Sequence, residues 1–182
     1  MIPLLIAFIW GLAEATLFFI VPDVLFTYLV LFNRNLALWS CLIALAGALI
    51  GGTAMYQWGK KDLGSATRLV SLLPGISKTL IEREKNGLRK KGLLAILIGP
   101  LKGIPYKIYA ICAPSTGISL FRFLLISVPA RLIRFVLATL LADLAFHWML
   151  PKLNLTVQVS ILTAFWLIFY AWYFMKMRDL SR

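Results

Sequence analysis

The sequence predicts an all-α, polytopic membrane fold with two re-entrant helical hairpins in an inverted-repeat-like arrangement. Three observations carry this expectation: apolar runs recur along the chain, charged and proline-bearing interruptions fall inside two of them, and cations gather between them. Of 182 residues, 61% are hydrophobic and 14% charged, and the mean hydropathy is +0.88, outside the usual range of a soluble domain. Several runs approach or exceed the roughly 20 apolar residues that cross a bilayer. Because they recur to the end, one cleaved signal peptide does not account for them.

The first apolar stretch, Ile2 to Phe32, is too long for one simple span and contains Glu14, Pro22 and Asp23. A break is expected near Pro22, where proline removes a helix hydrogen bond and clashes with the preceding turn. Asn33-Arg34-Asn35 then makes a polar turn, and Leu36 to Trp58 reads as a clean span. Its Gly47-x-x-x-Gly51 spacing suits close helix approach.

Residues 59–91 form a long polar loop with nine cations and three acids, a local net charge of +6. The positive-inside rule makes this loop cytoplasmic. Ile76 to Leu88 is expected to be a helix, either lying on the membrane surface or solvated. Gly92 to Ala113 is apolar again but holds Pro100, Lys102, Gly103, Pro105 and Lys107. Ile118 to about Leu150 follows, with Arg122, Arg131, Arg134, Asp143 and His147 embedded. Leu155 to Met175 is the last span, and Lys176, Arg178 and Arg182 mark a cytoplasmic tail. Two cytoplasmic segments require an even number of crossings between them. Residues 92–117 are therefore expected to enter and leave on one side, bending near Pro100 to Pro105. The first, proline-broken segment would be the counterpart from the opposite face, a pattern that points to a transporter site near the midplane.

An ionisable group at the bilayer centre costs about 2.5–3.5 kcal/mol on insertion scales and so needs partners or water. Glu14 and Asp23 near the first break and Lys102 and Lys107 near the second are expected to form one paired cluster if the hairpin tips meet. Arg131 and Arg134, three residues apart, share a helix face suited to gripping a phosphate. For Asp23, Lys102 and Arg122, a position at headgroup level is the alternative, with the basic chains snorkelling. Asp143 and His147 stand at i,i+4 and are expected to pair. Trp148 and Tyr173 fit an interfacial belt. Cys41 and Cys112 lie in apolar runs without metal-type spacing and read as small buried hydrophobes. The net charge of +12 comes without any nucleic-acid module, so no nucleic-acid partner is expected.

These residues resemble the DedA family, bacterial membrane proteins that share a domain with the eukaryotic VTT lipid scramblases. The resemblance is carried by Glu14-x8-Asp23 with Pro22; by Ala46-Gly47 through Gly51, Tyr56, Gly59 and Gly64; and by Pro105-Tyr106-Lys107, Ala113, Phe123, Arg131 and Arg134. It covers roughly residues 8–140. The chain departs from the family at Ala15, at Lys102 and at Pro114. The resemblance implies one DedA/VTT-like membrane domain over 1–182, two opposed re-entrant hairpins, and movement of lipids or lipid carriers such as undecaprenyl phosphate or phospholipid.

The leading expectation is a flippase or scramblase of the cell inner membrane, optionally proton-coupled, rather than an enzyme. Lys102, Lys107, Arg131 and Arg134 would bind the phosphate, and Glu14 and Asp23 would respond to protons. No cofactor or metal is called for. The partners are membrane lipids with anionic or phosphate-bearing headgroups, and a homo-oligomer stays open. The alternatives are an intramembrane lipid-headgroup enzyme, against which stand the single histidine and the lack of an acid cluster; a non-transporting assembly factor; and a transporter of small cations.

Overall fold

The structure, a computed structural model, describes residues 1–180, with side chains as far as Lys176. Among the described residues all secondary structure is helical. The helices are α1 (Ile2–Ala15), α2 (Asp23–Val30), α3 (Arg34–Lys61), α4 (Leu63–Val70), α5 (Lys78–Lys91), α6 (Leu93–Ile98), α7 (Tyr106–Cys112), α8 (Leu120–Asp143) and α9 (Leu155–Leu180). Side-chain caps start several of them. Asn33 Oδ1 accepts from Leu36 N at 2.9 Å, Asp62 Oδ1 from Ser65 N at 2.9 Å, and Ser77 Oγ from Leu80 N at 3.1 Å, each satisfying an amide that the first turn leaves free. Three segments are long and apolar enough to cross a membrane: Arg34–Lys61, Leu120–Met149 and Leu155–Lys176. At about 1.5 Å per residue, α1 falls short of a full crossing.

Close contacts fix the directions. Helix α1 runs beside α3 in the same sense, Phe8 against Gly47 and Ala15 against Gly51. The Gly47-x-x-x-Gly51 spacing thus serves packing within the chain: a Cβ at either position would meet α1 backbone. Helix α2 returns along α3, with Phe26 clustered with Cys41 and Ala44, and Val30 with Ala37. Helix α7 again runs with α3, Tyr106 against Gly52 and Ile111 against Gly59. Helix α8 opposes α3: Tyr56 Oη donates to Ile118 O at 2.8 Å, Cys41 Sγ and Thr139 Oγ1 lie 3.3 Å apart, and Arg34 pairs with Asp143 at 3.4 Å. Helix α9 opposes α2, with Thr163 meeting Tyr28, Trp166 meeting Thr27 and Tyr170 meeting Val21 just before α2 begins. The bend after α1 and the bend before α7 therefore come together beside the middle of α3, where Ala15 meets Gly51 and Tyr106 meets Gly52.

The first break falls near Pro22 as expected, and it spans residues 16–22: α1 already ends at Ala15, and Pro22 closes the break by capping α2, where the fixed φ of proline and its missing donor suit a helix start. The second bend lies where the prolines place it. Pro100–Lys102 forms a short turn closed by Gly103 at φ 80°, a left-handed conformation that glycine adopts without a Cβ clash. The same turn recurs at Pro114–Thr116 with Gly117 at φ 79°. In both, the residue after the glycine donates its N–H five residues back, Ile104 to Gly99 O at 3.0 Å and Ile118 to Ala113 O at 3.2 Å. Between the two turns α7 is buried at every residue from Tyr106 to Cys112.

The helix expected over 76–88 is α5, and it is neither freely solvated nor laid with its apolar side on a membrane surface. Leu80, Ile81 and Leu88 are buried in one core cluster with α7, and Tyr109 Oη donates to Glu84 Oε2 at 2.7 Å. Its basic residues Arg83, Arg89, Lys90 and Lys91 stay exposed. Asp143 and His147 pair as expected, at 3.1 Å, in a helix that widens into a π turn over Leu144–Met149. Cys41 and Cys112 are both buried and free. Of the tail cations, Lys176 lies near the end of α9 at the cation-rich end of the bundle; the Arg178 side chain and Arg182 lie outside the described residues.

Candidate functional site

Where the two bends meet, five ionisable side chains converge. Glu14, on the last turn of α1, and Asp23, the first residue of α2, flank the first bend, and each is only 4% exposed. Arg131 and Arg134 project from one face of α8. Arg131 Nη2 donates to Glu14 Oε2, and Arg134 donates to Asp23 Oδ2 through Nε at 3.0 Å and also through Nη2. The pairs follow from register: residues three apart on α8 meet the two ends of a bend that interrupts the neighbouring hairpin. Pro129 lies within α8, two residues before Arg131, where it removes an intrahelical donor.

Lys107 is 2% exposed and donates to Phe18 O at 2.6 Å, an otherwise unpaired carbonyl of the first bend. This corrects the expected four-membered cluster. The carboxylates are held by Arg131 and Arg134, Lys107 holds backbone, and Lys102 is exposed on its turn. A planar guanidinium matches a carboxylate better than an ammonium does. The arginines also come from a regular helix, whereas Lys102 faces outward from a three-residue turn. Arg131 further lies 4.4 Å over the Tyr106 ring and 5.1 Å from that of Phe135, contacts that favour a desolvated cation. Tyr106 stacks on Phe123 and donates to Ser127 Oγ at 3.0 Å. At formal charges Glu14, Asp23, Lys107, Arg131 and Arg134 sum to +1.

Helix α9 adds groups with no advance signal beyond its dense aromatic run. Tyr170 Oη accepts from Val21 N at 2.9 Å, and Trp166 Nε1 donates to Thr27 Oγ1 at 3.0 Å. From α1, Trp10 Nε1 donates to Ile20 O at 2.9 Å. Tyr170, Trp10 and Lys107 supply the first bend with hydrogen bonds that helix geometry no longer provides, while Trp166 ties α9 to α2.

A cavity of about 400 Å³ lies between α9 and the two bends. Its inner part is lined by Glu14, Asp23, Lys107 and Arg134; its outer part is bordered by Lys102 and Lys176, near Pro74 and Ile76 of the loop before α5. It therefore runs from the cation-rich end of the bundle down to the ionic cluster. Tyr173, expected at an interface, is half-buried and lines this cavity, while Trp148 is exposed. Arg122 is exposed on the first turn of α8, away from the cluster. Asp23 Oδ1 is buried without a hydrogen-bond partner among the described residues. Burying such an oxygen costs about 1–3 kcal/mol, so Asp23 retains capacity to accept one more donor. Compared with family models, curated proteins and solved structures, the chain matches none.

Proposed function

We propose that this chain is a DedA-like protein of a cell inner membrane that moves lipid or lipid-carrier phosphates, undecaprenyl phosphate or phospholipid, across the bilayer as a flippase or scramblase. In this reading Arg34–Lys61, Leu120–Met149 and Leu155–Lys176 span, and the α1–α2 and α6–α7 hairpins re-enter from opposite faces. The distribution of charge supports it. The ends of α3 and α9, helix α5 and the start of α8 carry Lys60, Lys61, Lys176, Arg89 to Lys91 and Arg122 at one end, which the positive-inside rule assigns to the cytoplasm. Interrupted helices at mid-depth are tolerated only inside protein or beside a water-filled cavity, and both bends meet that condition.

The observation that carries the proposal is the cavity reaching a buried ionic cluster with one excess cation. Unpaired charge is costly in a membrane interior and marks substrate paths. A phosphate drawn into this cavity would meet Lys107 and Arg134, with Arg131 behind, while Glu14 and Asp23 hold the arginines until the ligand competes for them and are the groups able to take protons.

Headgroup translocation in liposomes tests this, using labelled undecaprenyl phosphate and labelled phosphatidylethanolamine, with and without a proton gradient. The wild type is expected to speed translocation well above empty liposomes, and Arg131→Glu to bring it back towards them. No acceleration, with Arg131→Glu indistinguishable from wild type, sinks the proposal.

A further inference from the structure

The cations around the cavity differ in what they already hold. Arg134 is engaged by Asp23, Arg131 by Glu14, and the Lys107 ammonium by the Phe18 carbonyl. An anion arriving there must displace a carboxylate or a backbone oxygen in a buried setting. At the outer part, Lys102 and Lys176 are exposed, and neither forms an ion pair or side-chain hydrogen bond among the described residues. They border the cavity from different elements, Lys102 on the turn before Gly103 and Lys176 on α9. Lys176 Nζ lies 4.8 Å over the Trp172 ring, which limits its range without neutralising it.

We propose that Lys102 and Lys176 form a shallow phosphate-capture site at the mouth of the cavity, which binds the phosphate of a lipid headgroup before it reaches the inner cluster. This rests on the lipid-transport reading and adds a separate first station to it. The ligand chemistry, a phosphate, is shared by lipids and by free phosphate. The lipid is favoured because the mouth adjoins an uncovered apolar helix face: Phe165, Leu167, Ile168 and Trp172 of α9 are each more than half exposed. An acyl chain can stay against that face while the headgroup sits between the two lysines.

The test uses the full chain in detergent, with dioctanoyl phosphatidate as the lipid probe and inorganic phosphate as the free anion. The Lys102→Gln/Lys176→Gln double variant is expected to bind the lipid about 30-fold more weakly, as loss of two near-surface lysine contacts implies. Lys102→Arg/Lys176→Arg is expected to restore most of the affinity. In liposomes carrying chain-labelled phosphatidate, the loss should fall more on the half-saturating concentration than on the maximal rate. Because both lysines are exposed, melting temperatures should match the wild type. Unchanged affinity in the double variant overturns the proposal, as does failure of the arginine variant to rescue. Inorganic phosphate competing as strongly as the lipid overturns the choice of ligand. A wild type that binds phosphatidate through these lysines yet moves no lipid removes the transport reading and leaves the capture site standing.

Discussion

The two bends at the centre of the molecule are held in different ways. The second, Gly99 to Ile104, is closed by its own backbone: Lys102 N and Ile104 N both donate to Gly99 O, and Gly103 N to Pro100 O. The first, residues 16–22, starts in the same way, Thr16 N and Phe18 N both donating to Ala13 O, but its later part is held by side chains of other segments. Trp10 holds the Ile20 carbonyl, Lys107 the Phe18 carbonyl and Tyr170 the Val21 amide. One bend is a local turn written by proline and glycine; the other begins with a local turn but depends on three separate helices to partner Phe18, Ile20 and Val21. Local opening is drawn from segments of the second kind, so the first bend is the part of the site that neighbouring helices can release.

The largest expected effect comes from Arg131, which touches both bends through Glu14 and the Tyr106 ring. Arg131→Leu leaves Glu14 buried and unpaired and should cost about 3–5 kcal/mol, read as a lower melting temperature in detergent. Adding Glu14→Gln should recover much of it, and an uncompensated double variant would show that the ion pair is not what couples the bends. Tyr170→Phe comes next. It strips the Val21 amide of its partner at about 1–3 kcal/mol, and hydrogen exchange should rise in 16–22 while 99–104 stays protected. Equal exchange in both segments would erase the contrast. Gly103→Ala should cost about 1–2 kcal/mol by forcing a Cβ into a left-handed conformation, with exchange rising in 99–104 alone. The smallest effect, about 1 kcal/mol, is expected from Trp10→Phe, which removes one neutral hydrogen bond to Ile20 O.

The same contrast explains what could be read in advance. Pro100, Gly103 and Pro105 announce the second bend because its cause is local, and the i,i+3 spacing of Arg131 and Arg134 announces a shared face. The first bend does fall near Pro22, where proline is the obvious breaker, but the partners that hold it sit up to 149 residues away, at Tyr170, beyond the reach of any local pattern. Charge composition likewise marked Glu14, Asp23, Lys102 and Lys107 as needing partners but could not choose among them. Register between α1, α2 and α8 made that choice, leaving Lys102 outside. Spacing in one helix is visible in a sequence; alignment between helices is not.

The excess positive charge in the cluster bears on how voltage would act on such a site. A charge moved across the full membrane potential changes energy by about 2.3 kcal/mol per 100 mV. If the proposed lipid transport holds, the cluster of Glu14, Asp23, Lys107, Arg131 and Arg134 becomes neutral at formal charges when a monoanionic headgroup occupies it, and a loaded site would then feel little of that field. The empty site keeps its charge. A resting potential, negative inside, would then hold the vacant cluster facing the cytoplasm and leave the step that carries lipid nearly independent of voltage.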